Sequence, residues 1–421
     1  MRAKMSIPHD KCLDNTLKLL LEGYLFIPNR HRKYRSDLFK TRLMGQKVIC
    51  MSGKRAAKLF YDKYRFTRKN VLPKRIQETL FGKKAIQTLV GAAHTNRKSL
   101  FMSFMTPSRI DLITNLTRKQ WQVNSRKWEN RKQITLFDEA AKLLCQAACQ
   151  WTGVPLRNSE ARLRAEDMSA MIDAFGAVGP RHWKGRCARN RTEHWIKGII
   201  EDVRVKRLIV STDTPLYIIA WHKNEKGRLL EAQVAAVELI NLLRPITAIA
   251  TYITFGALAI HTYPKCKSKL QSKDNNYLPM FSQEIRRYYP FGPFLGAKVR
   301  NNFIWRNYHF RKGTLVLLDL YGTNHDPRIW EKPYEFRPER FRYWDGNPFD
   351  FIPQGGGDYD KGTRCPGEWI TVELLKISMD FLANHLEYRV PLQDLFYSLR
   401  RMPTLPKSRF VMSKIKRLER G

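Results

Sequence analysis

The chain has 421 residues, 43% hydrophobic and 12% aromatic, so it can bury a sizeable core, and wholesale disorder is excluded. Its 76 lysines and arginines outnumber 38 acidic residues, which gives a net charge of +38. The first hundred residues contribute +18 of that excess, from 24 basic and 6 acidic residues. Such a surface attracts polyanions, either nucleic acid or an anionic membrane face, or it is a solvated basic surface without a partner; composition does not choose among these.

The cysteines and the N-terminal segment predict a cytoplasmic protein. Seven cysteines form no C-x-x-C pair and no zinc-like spacing, and their odd number without a secretory signal indicates reduced thiols. The first residues contain no long apolar run, so neither a signal peptide nor a membrane anchor is predicted. The longest apolar stretch, 235–260, is interrupted by Glu238 and Arg244, and its clean part from 246 to 260 is too short to span a bilayer.

The predicted elements are dominantly helical, with a few short strands and no breakable linker. In chain order they are a strand over 44–52, a helix begun at Ser52, several helices over 134–260 that end in a long central one, an amphipathic helix over 280–289 stopped by Pro290, β-like pieces over 301–322, a loop over 325–366, and a last helix over 367–387. This order predicts a mainly α fold with minor β structure, in a single domain spanning 1–421.

A glycine-rich loop, QGGGDYDKGTR over 354–364, leads to Cys365, and a helix is predicted to begin directly after that cysteine. Three consecutive glycines, with Gly356 in the middle, allow the backbone to approach a flat or anionic ligand closely. A sulfur at a helix N-terminus faces free N–H groups and the positive end of the helix dipole, which favours the thiolate. Such a thiolate is a nucleophile or a metal ligand; a buried, inert cysteine is the alternative.

Three charged residues upstream fit the metal interpretation. Glu284 and Arg287 lie three apart on one helix face, and Arg340 follows in a proline-rich loop, in the run YEFRPERF. Glu284-x-x-Arg287, then the P-E-R-F motif, then a glycine-rich loop ending in cysteine resembles the cytochrome P-450 superfamily. The resemblance implies the cytochrome P-450 fold, with haem b as cofactor, Cys365 as the axial ligand of its iron, and Glu284, Arg287 and Arg340 as structural residues that hold the cysteine loop.

The long helix departs from the usual monooxygenase of that superfamily, because it lacks the acid–alcohol pair. It carries Leu243-Arg244-Pro245 instead. An arginine within an apolar helix is costly unless an anion meets it, and its planar fork suits a carboxylate. Pro245 is expected to kink or open the helix. The alternative is a structural arginine paired with a protein acid such as Glu238.

The Arg-Pro pair makes the chain similar to the fatty-acid peroxygenase branch of the superfamily, over nearly its whole length. The resemblance implies that the carboxylate of a long-chain fatty acid, bound by Arg244, acts as general acid–base for hydrogen peroxide, without a redox partner. It implies hydroxylation at the α or β carbon, with decarboxylation to a terminal alkene as the alternative. Further residues carried over from the branch are Gln87 and Pro245 as catalytic residues, Phe81, Phe175, Phe291 and Gly292 in the substrate channel, and His94, Lys98, Arg68 and Gly356 at the haem.

Three rival interpretations follow from the same sequence, and one of them is a haem-containing enzyme of this fold with impaired catalysis. A reductase-dependent monooxygenase would need an acid–alcohol pair, which the long helix lacks. A protein that binds nucleic acid or anionic lipid through its basic surface would need no haem. No interleaving of aromatic and basic residues typical of an RNA-binding surface is present, which argues against nucleic acid. Peripheral association with an anionic membrane surface is kept as an expectation.

Overall fold

The computed structural model describes residues 7–272, 274 and 276–418. Within them helices dominate, as the apolar periodicity predicts. The helices are α1 (Thr16–Glu22), α2 (Phe26–Tyr34), α3 (Lys54–Phe60), α4 (Lys74–Leu80), α5 (Gly91–Met102), α6 (Pro107–Glu129), α7 (Leu136–Thr152), α8 (Ala161–Asp173), α9 (Pro180–Arg204), α10 (Pro215–Ala220), α11 (Ala232–Ala248), α12 (Ala250–Thr262), α13 (Pro264–Gln271), α14 (Tyr277–Tyr288), α15 (Leu320–Asn324) and α16 (Glu368–Asp380). Short 3-10 turns, including Ile86–Thr88 and Pro338–Phe341, connect some of them.

The strands form small sheets beside the helices. They are β1 (Leu38–Leu43), β2 (Gln46–Met51), β3 (Phe66–Thr67), β4 (Gln133–Thr135), β5 (Phe294–Val299), β6 (Phe303–Trp305), β7 (Tyr308–Phe310), β8 (Leu315–Asp319), β9 (Leu386–Arg389) and β10 (Val411–Arg417). The largest sheet has the order β1-β2-β8-β5-β3, with β2 and β8 parallel and the other pairs antiparallel. The remaining sheets are β4-β10-β9 and the hairpin β6-β7.

The predicted fold class, mainly α with minor β in the cytochrome P-450 fold, is confirmed. Some predicted boundaries are wrong. The last helix, expected over 367–387, ends at Asp380, and the strand β9 begins at Leu386. The helix expected to begin at Ser52 begins at Lys54, and Gly53 precedes it with a φ of 88° that favours glycine. The single domain over 1–421 stays a prediction, and residues 1–6, 273, 275 and 419–421 lie outside the described part of the chain.

The long central helix is interrupted at Ile249, four residues after Pro245, and so forms α11 and α12. Taken together, Ala232–Thr262 is long and apolar enough to cross a membrane, contrary to the expectation that it is too short. Yet 94% of its apolar window is buried inside the protein, against helices such as α7, α9, α14 and α16. That burial is typical of a core helix, and this helix carries one side of the candidate site.

Candidate functional site

The loop before Cys365 takes its shape from glycines. Gly355 and Gly357 have φ angles of 91° and 81°, in the left-handed region. A Cβ at Gly356 would lie 2.4 Å from the carbonyl oxygen of Pro348, so the backbone is packed against the preceding chain. The Cys365 amide donates to the Gln354 carbonyl at 3.2 Å. The loop therefore fixes the position at which the sulfur lies.

Helix α16 begins at Glu368, three residues after the cysteine, as the sequence predicts. Burial raises the pKa of the Cys365 thiol, and Glu368 raises it further, whereas the Gly367 amide and the cations Lys98 and Arg286 lower it. The net direction is upward, so burial outweighs the preference for thiolate expected from the helix N-terminus. A thiol that coordinates a metal loses its proton on binding, so a raised pKa does not argue against a ligand role.

A shared carboxylate holds the cysteine loop, and the sequence interpretation missed it. Glu368 accepts from Arg286 Nη2 at 2.6 Å and from Arg364 Nε at 2.6 Å. Arg286 also donates through Nε to Gln354 Oε1 at 3.1 Å. Gln354 Nε2 lies 3.8 Å from Cys365 Sγ. The adjacent Arg286-Arg287 pair was the available signal, because two neighbouring buried arginines need two separate acids.

The three residues of the predicted structural set lie together. Arg287 donates through Nε and Nη2 to both oxygens of Glu284, each at 2.7 Å, and Arg340 Nε lies 3.2 Å from Glu284 Oε1. The remaining donors of Arg287 and Arg340 reach backbone carbonyls of the loop over 324–335. Glu284 and Arg287 are fully buried, so this cluster ties the loop to α14.

On helix α11, Arg244 is buried and has no acid partner among the described residues. Arg244 Nη2 donates to Asn241 Oδ1 at 3.0 Å, and its Nε has no partner among the described residues. Glu238, the acid proposed as the alternative partner, pairs with Arg97 at 2.5 Å instead. Burial and the neighbouring Arg189 lower the pKa of Arg244 to about 9. A buried cation of this kind requires an anion, and the described residues do not supply one.

Pro245 follows this arginine on α11. It is exposed, although every other residue from Val234 to Ile260 is buried. The Phe81 ring lies 5.5 Å from the Arg244 guanidinium carbon. The structure thus brings Phe81 next to Arg244, and Pro245 adjoins Arg244 in the chain.

The other residues predicted for the substrate pocket are not seen next to Arg244. Gln87 lies in the 3-10 turn Ile86–Thr88 with its side chain exposed, and no hydrogen bond joins it to Arg244. Phe175 is half-buried in the loop between α8 and α9. Phe291 lies 5.0 Å, ring to ring, from Tyr252 of α12, and Gly292 lines a small cavity beside the same tyrosine. In the part of the chain that the structure describes, no hydrogen bond joins any of these four residues to Arg244.

The cations predicted for the haem propionates fit a flat, dianionic group. Arg68 donates to the Gly296 carbonyl at 2.7 Å, and Lys98 Nζ donates to the Arg364 carbonyl at 3.0 Å. Neither has a carboxylate partner in the described ranges. Burial lowers the pKa of both, that of Arg68 to about 10. A buried lysine and a half-buried arginine, neither with an acid among the described residues, match the two propionates of haem b.

His94 and Tyr61 complete this side. His94 lies one turn before Lys98 on α5, and burial together with Lys98 lowers its pKa. The buried Tyr61 hydroxyl has no partner among the described residues, and it lies 3.2 Å from the position of a Cβ at Gly355. Sequence interpretation missed Tyr61, because a tyrosine at the end of α3 carries no motif.

Comparisons with known proteins agree with this geometry. The family profile described as Cytochrome P450 matches residues 267–385. Protopanaxadiol 6-hydroxylase of Panax ginseng is 24% identical over 396 residues, which is 86% of this chain and 81% of that protein. The profile match includes Glu284, Arg287, Arg340 and Cys365.

Solved structures align over almost the whole chain. Cytochrome P450EX alpha (CYP152N1) with myristic acid is 43% identical, with a TM-score of 0.94 over 98% of this chain and 99% of that one. A variant of cytochrome P450 OleT with arachidonic acid is 37% identical, with a TM-score of 0.96 over 99% and 100%. At 43% identity over nearly the full length, this chain belongs to the cytochrome P450 family, in the CYP152 branch, as a haem-thiolate oxidoreductase.

Proposed function

We propose that this chain is a peroxygenase that uses hydrogen peroxide to hydroxylate free long-chain fatty acids at the α or β carbon. Fatty acid and hydrogen peroxide are consumed, and hydroxy acid and water are formed. The observation that carries the proposal is Arg244, a buried guanidinium without a carboxylate partner in the described residues. Its fork binds a carboxylate through two hydrogen bonds. Structures of the same branch with myristic and arachidonic acid support this substrate class.

In this proposal the residues divide into two sets. Cys365 holds haem b through its sulfur, and Lys98, His94 and Arg68 hold its propionates. When bound, the haem supplies the oxidising chemistry. The protein supplies binding and orientation, with an apolar channel for the alkyl chain. The channel residues we assign are Phe81, Phe175, Phe291 and Gly292.

The substrate also supplies the proton carrier that the protein lacks. The residues around Arg244 on α11 are Leu243, Pro245 and Ile246, none of which exchanges protons. The carboxylate bound by Arg244 therefore takes a proton from hydrogen peroxide and returns it to the departing oxygen, which requires hydrogen-bond reach. Gln87 is assigned to the same pocket. No redox partner is needed, because peroxide brings both the oxygen and the oxidising equivalents.

A second product is compatible with the same site. Loss of carbon dioxide would convert the fatty acid and one hydrogen peroxide into a terminal alkene, carbon dioxide and two water molecules. Gln87, which corresponds to glutamine in the hydroxylases that the sequence resembles, favours hydroxylation. The ratio of hydroxy acid to alkene decides between the two.

The test uses the haem-loaded enzyme with myristic acid and hydrogen peroxide, with products separated by gas chromatography. We expect a thiolate-type carbon monoxide difference spectrum and turnover without NADPH or a reductase. Arg244→Ala should abolish turnover and leave the spectrum unchanged. The matched control is Arg400→Ala, because Arg400 is an exposed arginine in the loop after β9. Full activity of Arg244→Ala, or dependence on NADPH and a reductase, would contradict the proposal.

We also assign a cytoplasmic location with peripheral attachment to an anionic membrane surface. All seven cysteines are free, as in reducing compartments. Leu17 and Leu21 of α1 and Leu13, three residues before this helix, are spaced by four residues and are 68%, 58% and 91% exposed. Lys18 lies exposed between Leu17 and Leu21, and Lys11 lies exposed two residues before Leu13. Exposed leucines beside cations match a lipid interface, and the net charge of +38 adds electrostatic attraction.

Sedimentation with lipid vesicles tests the attachment. We expect binding to phosphatidylcholine vesicles that contain phosphatidylglycerol, weaker binding to phosphatidylcholine alone, and loss of binding in Leu13→Ser with Leu17→Ser. Leu392→Ser, another fully exposed leucine, is the control. Binding that ignores the leucine substitutions, or that transfers to a nucleic-acid competitor at low salt, would contradict a membrane role.

A further inference from the structure

The guanidinium of Arg244 is oriented by an amide on its own helix. Arg244 Nη2 donates to Asn241 Oδ1 at 3.0 Å. The amide nitrogen of Asn241 donates to the Phe81 carbonyl at 3.1 Å and lies 3.3 Å from Glu238 Oε2. Because both of these neighbours are acceptors, the nitrogen has to face them, and the oxygen has to face Arg244. The neighbours of Asn241 therefore dictate its orientation.

Glu238 is itself fixed from outside the helix. Its Oε1 accepts from Arg97 Nη1 of α5 at 2.5 Å and from the Ile86 amide at 2.9 Å. Glu238 is completely buried, and Arg97 is 5% exposed. A buried ion pair with an added backbone hydrogen bond holds its geometry strongly, because moving either partner exposes an unpaired charge.

Phe81, which lies against Arg244, is held by the same group of residues. Its carbonyl accepts from Asn241, and Arg189 Nη2 of α9 lies 3.3 Å from the same oxygen. Arg189 in turn pairs with Glu193 one turn later on α9. The Phe81 ring and the Arg244 guanidinium are thus fixed relative to each other through one amide.

Charge is distributed unevenly along these residues. Arg97 and Glu238 neutralise each other, and Asn241 is neutral, so Arg244 keeps its whole positive charge. A carboxylate at position 241 would neutralise the guanidinium, and it would have no N–H to donate to the Phe81 carbonyl and to Glu238. An amide at this position gives orientation without neutralisation.

We infer that Glu238 and Asn241 are positioning residues that aim Arg244 and keep its charge available to the substrate. Glu238 fixes Asn241, and Asn241 fixes Arg244. The inference rests on the proposed function, since it concerns the same carboxylate. It adds that these two residues set the preference of the site for a free acid over a neutral derivative of equal length.

The test compares myristate with methyl myristate, titrated into the haem-loaded enzyme and followed by the absorbance shift on binding. Asn241→Asp places a carboxylate beside Arg244 without changing the size of the side chain. We expect the dissociation constant of myristate to rise at least about tenfold, while that of methyl myristate changes less than about twofold. Asn241→Ala should raise the dissociation constant of myristate less than Asn241→Asp does, because the charge of Arg244 is preserved.

The outcomes separate the two proposals. A parent enzyme that does not prefer myristate to its methyl ester contradicts the proposed function. A parent that does, together with an Asn241→Asp variant that keeps the same preference or loses both ligands equally, overturns only the positioning role of Asn241. Unfolding temperatures of parent and variant, measured in parallel, identify any general loss of structure.

A double variant tests Glu238 separately. Arg97→Gln with Glu238→Gln replaces the ion pair by two amides, so no charge is left unpaired in the core. We expect KM for myristate to rise severalfold with a smaller change in kcat. The single variant Arg97→Gln is the comparison, because it keeps Glu238 but leaves it unpaired. An unchanged KM in the double variant would overturn the role of Glu238.

Discussion

The cysteine loop and the Arg244 region both depend on buried arginines, but they treat the charge of those arginines differently. Arg286 and Arg364 share Glu368, and Arg287 lies bidentate on Glu284. Each of these cations has an acid within the fold, at 2.6–2.7 Å. None of these cations is left with neutral partners alone, and the cluster holds a loop in place.

The Arg244 region combines two ion pairs, Arg97–Glu238 and Arg189–Glu193, with one cation that has no acid among the described residues. Arg97 and Glu238 are matched, whereas Arg244 has only the amide of Asn241 among the described residues. This difference distinguishes a buried cluster that stabilises the fold from one that binds a ligand. Where every cation has its acid, the cluster is structural; where one cation is left with a neutral partner, the missing acid belongs to the ligand.

Removing the shared acid should have the largest effect. Glu368→Gln leaves Arg286 and Arg364 without a counter-charge in a buried region, so we expect the free energy of unfolding to fall by about 3–5 kcal/mol. Haem content should fall as well, because the same carboxylate holds the loop of Cys365. Chemical denaturation and absorbance of the purified protein measure the two effects.

Glu373→Gln is the matched control for this prediction. Glu373 pairs with Lys376 at 2.8 Å on the same helix, α16, but both side chains are about one-third exposed. Partly exposed pairs contribute little, so the expected loss is below about 1 kcal/mol. Equal losses in the two variants would erase the distinction between the buried cluster and an ordinary surface pair.

Regularising the helix beside Arg244 should move stability and binding in opposite directions. Pro245→Ala supplies an N–H that can reach the Asn241 carbonyl, so we expect the free energy of unfolding to rise by about 1–3 kcal/mol. The altered helix should hold Arg244 less favourably, and kcat/KM for myristate should fall. Unfolding curves and peroxide turnover, measured on one preparation, give the free energy of unfolding and kcat/KM. If both quantities rise, the active site does not depend on the irregular helix.

The pH dependence of binding should also differ between the two regions. Burial and Arg189 lower the pKa of Arg244 to about 9, so the cation is present below that pH and is lost as pH rises through it. We expect the dissociation constant of myristate to rise about tenfold for each pH unit above about 9. Burial alone would lower the pKa of Arg364, but hydrogen bonds to Glu368 raise it above its ordinary value.

The thiolate-type spectrum should therefore stay constant while myristate affinity declines. Titrations from neutral pH to about pH 11 measure both quantities in one sample. Affinity for myristate that is flat over this range would show that Arg244 remains protonated without its substrate.

The smallest expected effect concerns the second buried arginine. Arg189 is one of the causes that lower the pKa of Arg244, and Arg189→Gln removes that charge while it keeps donors for the Leu80 and Phe81 carbonyls. The alkaline decline of myristate affinity should then move upward by less than about one pH unit. A downward movement would mean that Arg189 acts through structure rather than charge.

Sequence alone was sufficient where partners lie close along the chain. Glu284 and Arg287 share a helix face, and Cys365 is followed within three residues by the start of α16. Apolar periodicity and the resemblance together predicted the mainly helical fold, which the structure confirms. Local spacing determines these features, so they can be read from a single sequence.

Long-range pairing was not accessible in the same way. Arg97 and Glu238 are 141 residues apart, so no local pattern around Glu238 indicates that Arg97 is its partner. Glu238 was therefore a candidate acid for Arg244. Arg286 was passed over beside Arg287, because neighbouring residues on a helix point in different directions and their acids lie on different elements. Gln87, Phe175, Phe291 and Gly292 stay predictions, since their roles depend on where a substrate chain lies.

The positions of residues along α11 affect which carbon of the fatty acid is oxidised. Glu238, Asn241 and Arg244 follow one another at intervals of three residues, so the helix works as a ruler that sets the height of the carboxylate. One helical turn is about 5.4 Å, roughly the length of four methylene groups. Relocating the same arginine–amide pair by a turn would present a different stretch of the alkyl chain to oxidation, and the position of attack would become a property of helix register.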